Sequence, residues 1–321
     1  MIVNKNIAFY ILSTIVLIGC SNSYNSELLF INPEGNDGFA YPYFLYLPEH
    51  VSQKETVFMV IEPNNTGFVD DDFKKHIDKA RRTASRDFYL GNYVAQNLNY
   101  PLLVPVFPRP ESDWKIYTHA LDRDVMVQKG NSLERIDIQL IEMFKHARQM
   151  LLKKNIKTND KFLLTGFSAS GTFANRFTLI HPDQVYATAA GGLNGLLMLP
   201  FDSLNNEILK YPVGVGDFKE LTNTAFDKQL FLNTPQFYFM GGADSNDAVP
   251  YGDAFDKIER EQIYRLLGEQ MQAERWERCK NLYIQSQVNA IIKTYDQTGH
   301  EHPTEIKNEV VDFFRACINN N

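Results

Sequence analysis

The sequence predicts an α/β fold, a mostly parallel sheet covered on both faces by helices. Three observations lead there. Apolar runs of buried-strand length recur along the chain, among them TVFMVIE at residues 56–62, PLLVPVF at 101–107 and KFLLTG at 161–166. Helix-like segments separate these runs, and strands alternating with helices imply parallel pairing through helical crossovers. The chain has 321 residues, 44% of them hydrophobic, enough for one large core with insertions.

Taken in order, the first twenty residues differ from the rest. Lys5 precedes a nearly unbroken apolar run over residues 7–18. That run is too short for a comfortable membrane span of roughly 20 residues, but it suits a secretory signal. It ends Leu17-Ile18-Gly19-Cys20-Ser21, which resembles a bacterial lipoprotein signal with its lipobox. The resemblance implies cleavage before Cys20, acylation of that residue, and a mature chain of 321 − 19 = 302 residues anchored to the cell envelope. Ser21 resembles the outer-membrane form of such signals. Residues 20–39 then read as a tether and 40–321 as one domain.

Within that domain, residues 40–49 (AYPYFLYLPE) read as an early strand and 56–62 as a buried one. Residues 72–97 read as one long helix, with Asp70 or Asp72 as N-cap. The strand at 101–107 carries Pro105, which cannot donate to a ladder. A helix over 133–153 places Ile136, Leu140, Phe144, Ala147 and Leu151 on one face. KFLLTG (strand), 170–180 (helix), VYATAAGG (strand), PQFYFMGG (strand), VNAIIKTY (strand) and 303–318 (helix) complete the alternation. Residues 202–230 and 256–287 are insertions, the second strongly helical, and 107–133 is a long polar and aromatic loop. Segments of that kind form lids or binding walls.

The charge balance excludes some functions. There are 32 Lys and Arg against 39 Asp and Glu, a net charge of −7, with no basic run to bind nucleic acid. Besides Cys20 the cysteines are Cys279 and Cys317, either bonded to each other or free. No CxxC pair or Cys/His cluster has zinc spacing, so a structural zinc site is not expected.

Three short segments carry chemistry. In Gly166-Phe167-Ser168-Ala169-Ser170-Gly171, Ser168 falls between a buried strand and a helix, the setting in which a sharp turn presents a serine hydroxyl at the sheet edge. The alternative is an N-cap at Ser168 or Ser170. Asp244 follows the strand ending Gly241-Gly242, where a carboxylate can orient an imidazole, and Asp247 is its rival. His300 follows the last strand and a glycine, as a general base would, with His302 as rival. His50, His76, His146 and His181 read as surface or packing residues.

The segments GFSASG, GGADSNDAVP and TGHEHP, in that order on alternating strands and helices, resemble the α/β-hydrolase superfamily over about residues 40–318. They look most like its secreted esterase and polyester-depolymerase branches. The resemblance implies a serine hydrolase acting on a carboxylic ester through Ser168, Asp244 and His300, with no cofactor. A peptidase of the same fold, or a noncatalytic envelope lipoprotein that binds a glycan or protein, is the alternative. Ser170 stands where the family has glycine. The resemblance also implies an oxyanion hole formed by the Ala169 N–H and a donor from IEPNNTG, where the HGGG motif is absent and Asn64 or Asn65 stands instead. Trp114, Tyr117 and His119 are candidate walls of a substrate pocket.

Overall fold

The computed structural model describes residues 26–319 apart from positions 36 and 54. Cys20 and the apolar run before it lie outside the described residues.

In chain order the main elements are β1 (Glu27–Ile31), β2 (Tyr43–Leu47), β3 (Val60–Ile61), α1 (Phe73–Ser85), α2 (Leu90–Leu98), β4 (Leu102–Pro105), α3 (Arg123–Met126), α4 (Ile136–Lys153), β5 (Phe162–Phe167), α5 (Ala169–Ile180) and β6 (Val185–Gly191). The hairpin β7 (Ser203–Leu204) and β8 (Glu207–Ile208) follows, then α6 (Phe218–Thr222), α7 (Lys228–Asn233), β9 (Gln236–Gly241), α8 (Lys257–Leu267), α9 (Glu277–Gln285), β10 (Ala290–Tyr295) and α10 (Thr304–Asn319). Among the described residues, eight strands form one sheet in the order β1-β2-β4-β3-β5-β6-β9-β10. β2 pairs antiparallel with both β1 and β4. Every pair from β4 to β10 is parallel.

Strand side chains alternate between two cores. Tyr43, Leu45 and Leu47 join Leu140, Phe144, Phe173 and Phe177 beneath α4 and α5. Phe44 and Tyr46 join Ala80, Val94, Val310 and Phe314 beneath α1, α2 and α10. All five residues expected on one face of the 133–153 helix are buried.

Two expectations change. Residues 27–31, read as part of a tether, form β1, so the domain begins ahead of residue 40. The apolar run Leu28–Ile31 gains an edge position against β2, with Phe30 packed 4.8 Å from Phe44. The single helix expected at 72–97 is two, because the chain turns extended at Arg86. Asn92 Nδ2 spans that break and donates to Ala84 O at 2.7 Å, satisfying a carbonyl at the end of α1. Asp72, rather than Asp70, caps α1 by accepting from Lys74 N at 3.0 Å. Of the two states open for Cys279 and Cys317, the structure has both free. Pro105 proves harmless to β4. Val106 N donates toward β2, to Pro42 O, so by alternation the missing N–H of Pro105 faces the side where β3 has already ended at Ile61.

Candidate active site

β5 delivers Ser168 at its carboxyl end. Ser168 has φ 63° and ψ −128°, a conformation that side-chain-bearing residues rarely adopt. It is held there because Ser168 N donates to Gly191 O of the neighbouring β6 at 2.9 Å, while Thr172 N donates to Ser168 O. The turn needs a small residue at 166, since a Cβ on Gly166 would lie 2.4 Å from Ser170 O. Ser170 is buried, and its hydroxyl donates to Phe167 O at 2.8 Å and accepts from Phe167 N at 3.0 Å. It therefore clamps the turn. The Ser168 hydroxyl has no hydrogen bond among the described residues.

His300 reaches the same sheet edge from the loop after β10. Its Nδ1 lies 2.8 Å from Asp244 Oδ2. Its Cε1 would lie 3.0 Å from a Cβ on Gly192, next to the Gly191 that holds Ser168. Asp244 has a nearly inaccessible side chain, and its other oxygen accepts from Asn246 N at 2.8 Å. Gln272 Nε2 donates to Asp244 O and Gly241 O, tying this loop to the second insertion. The rivals are otherwise engaged. Asp247 pairs with the fully buried Arg275 at 2.5 Å. His302 packs edge-on against Phe167 at 4.6 Å, and burial holds its imidazole down at about 4.

Strand order, the one antiparallel strand and the strained serine turn agree. The chain has the α/β-hydrolase fold. It is similar to poly(aspartic acid) hydrolase-1 from Sphingomonas sp. KT-1, with 15% identity, 89% of this chain and 97% of that one covered, and a TM-score of 0.58. Weaker likenesses link it to an S-formylglutathione hydrolase from Agrobacterium tumefaciens (10% identity, 92% and 94% covered, TM-score 0.48). A ferulic acid esterase stands similarly (10% identity, 92% and 96% covered, TM-score 0.46). No family model matches the chain, and no curated protein does.

In this α/β-hydrolase fold the loop after β3 approaches the serine, and here the expectation for Asn64, a donor by backbone or side chain, narrows to its backbone, and a second expectation is corrected. The side chain of Asn64 is fully buried and spent on Phe107, donating to its O at 2.9 Å and accepting from its N at 3.0 Å. It cannot also serve as a side-chain donor to an oxyanion. Asn65, the other candidate, lines a 450 Å³ cavity together with Ser168, His300 and His302. The second correction is His119, which seals the interior instead of lining a pocket. Its Nε2 faces Phe107 O at 2.9 Å, and burial pushes its imidazole down to about 3.

Ala169, Trp114 and Tyr117 do meet at a second cavity, of 530 Å³, on the other side of Ser168. The Ala169 N–H is the first amide of α5 and has no partner among the described residues. Tyr117 is fixed by the Arg109 guanidinium 3.5 Å above its ring, and Arg109 pairs with Asp253 at 2.5 Å. Sequence reasoning missed Asn246, whose Nδ2 sits 3.2 Å from His300 Nε2. It missed Arg109 and Arg176 in the cavity wall as well. Only the spacing of Arg176 from Ser168, eight residues along one helix, was visible beforehand.

Proposed function

We propose that the protein is a serine hydrolase that cleaves carboxylic esters, with Ser168 as nucleophile, His300 as general base and Asp244 as its orienting carboxylate. The observation that carries this reading is the 2.8 Å contact between His300 Nδ1 and Asp244 Oδ2 beside a strained, unpartnered serine. A carboxylate on Nδ1 fixes the tautomer that leaves Nε2 free to take a proton. Asn246 must then give way to the Ser168 hydroxyl as substrate enters. Oγ attacks the carbonyl, His300 takes the proton and returns it to the departing alcohol, and water releases the acyl group by the reverse sequence. The Ala169 N–H, at the positive end of α5, and the Asn65 N–H are the proposed oxyanion donors. The N-terminal sequence supports lipid anchoring at Cys20 on the cell envelope as part of the same proposal.

Fluorophosphonate labelling tests the nucleophile: the folded protein should be modified at Ser168, and an unlabelled serine there sinks the reading. Hydrolysis of 4-nitrophenyl butyrate should fall by roughly 10⁴-fold or more in Ser168→Ala and His300→Ala. It should persist in His302→Ala. Faster turnover of a matched anilide than of the ester would make the protein a peptidase. Palmitate incorporation in cells, lost in Cys20→Ala, checks the anchor.

A further inference from the structure

Four charged side chains line the 530 Å³ cavity in front of Ser168, and they are unequally matched. Arg109 pairs with Asp253 and Asp247 with Arg275, each at 2.5 Å. Arg176 has no carboxylate partner among the described residues. It is 3% exposed, its Nη1 donates to Ala120 O at 2.9 Å, and the ring of Phe255 lies 5.6 Å from its guanidinium. Asp122 and Glu259 feel its charge without contacting it. Burial raises them to about 8 and about 7, so neither carries a full negative charge at neutral pH. An unmatched buried guanidinium is costly unless something pairs with it.

Its position relative to the serine is set by helix geometry. Thr172 and Arg176 lie four residues apart on one face of α5, and Ser168 caps the N-terminus of that helix, about 12 Å of rise before Arg176. Helical side chains lean toward the N-terminus, which brings the guanidinium back toward Ser168. Thr172 also lines the cavity, and its hydroxyl is buried without a partner.

We propose that this cavity binds a carboxylate carried by the substrate, with Arg176 as its cation and the Thr172 hydroxyl as its neutral donor. The substrate would thus be an ester of a dicarboxylic or similarly acidic acyl group, its free carboxylate a few methylenes from the carbonyl that Ser168 attacks. This rests on the hydrolase reading above. Guanidinium is the cation best shaped for a carboxylate, through two parallel N–H donors.

The test compares 4-nitrophenyl butyrate with the 4-nitrophenyl hemiesters of succinate, glutarate and adipate. Wild type should show kcat/KM at least about tenfold higher for one hemiester than for butyrate, the scale of a charge-assisted hydrogen bond. Arg176→Gln should bring that ratio to about one, and Thr172→Val should lower it in the same direction. A purely structural role for Arg176 would change both substrates together and leave the ratio intact, which overturns the proposal. So does a wild type that prefers butyrate, since that result needs no variant to fold. If neither ester is cleaved, the hydrolase reading fails. The site is then judged by titration calorimetry of glutarate into the wild-type protein, where binding that is lost in Arg176→Gln supports it and absence of binding overturns it.

Discussion

Ser168 is held in a conformation that costs a non-glycine residue on the order of 1–3 kcal/mol. The cost is met locally: Gly191 O receives its N–H, and the Ser170 hydroxyl bonds both backbone polar atoms of Phe167. Ser170→Ala should therefore lower unfolding free energy by about 1 kcal/mol in urea titrations, because two partly buried backbone groups lose their partner. It should still be labelled by a fluorophosphonate, whereas Ser168→Ala should not. The two aspartates separate in the same way. Asp244→Asn should lower kcat by up to roughly 10⁴-fold by presenting the wrong partner to His300 Nδ1. Asp247→Asn leaves the buried Arg275 charge unmatched, and it should appear first as a fall in Tm. Sequence order alone pointed to Ser168, Asp244 and His300, because each follows a strand end. The Asn64 side chain and His119 were misjudged because their partner, the Phe107 backbone, lies 43 and 12 residues away. No local pattern shows that a loop asparagine is already occupied.

The elements act on the site through close backbone approach at strand ends. A Cβ on Gly241, the last residue of β9, would lie 2.1 Å from Thr298 O and 2.3 Å from Gly299 O. Gly241→Ala must therefore push the loop that carries His300 away from the sheet edge. Ester turnover should drop at least about tenfold, since small displacements of a catalytic group are expensive. Gly299→Ala places a methyl in open space next to His300 and should stay within a few-fold of wild type. Steady-state kinetics of the pair check whether loop position, and not mere proximity, is what matters. The inner elements were legible because strands buried on both faces read as unbroken apolar runs, as β5, β6 and β9 do. β1 was missed because an edge strand is only partly buried and follows a polar stretch. The break between α1 and α2 was missed because residues 86–89 contain no glycine or proline and its cap, Asn92, belongs to the second helix.

At the scale of the whole molecule, the sheet separates two cores, and ionisable groups buried against them shape stability against pH. Glu62 lies under α2, where its carboxyl accepts from Gly91 N at 2.7 Å, and burial raises it from 4.5 to about 8. His119 lies under the long loop after β4, and burial lowers it from 6.5 to about 3. The signs oppose each other. An acid raised in the folded state is better protonated there than in the unfolded chain, so its contribution is present below pH 4.5 and is lost as pH rises toward 8. A histidine lowered in the folded state resists a proton that the unfolded chain accepts, so its contribution is present above pH 6.5 and is lost as pH falls toward 3. Each of these changes corresponds to at most about 5 kcal/mol. Glu62→Gln keeps the shape and an acceptor for Gly91 while removing the titration. Its Tm should match wild type near pH 4 and exceed it increasingly up to about pH 8, then run parallel. Calorimetric melts across that range decide the point, and a constant difference at every pH would show that Glu62 titrates alike in the folded and unfolded chains. Below pH 6.5 the variant should lose stability through His119, whereas in the wild type the growing Glu62 contribution offsets that loss down to about pH 4.5.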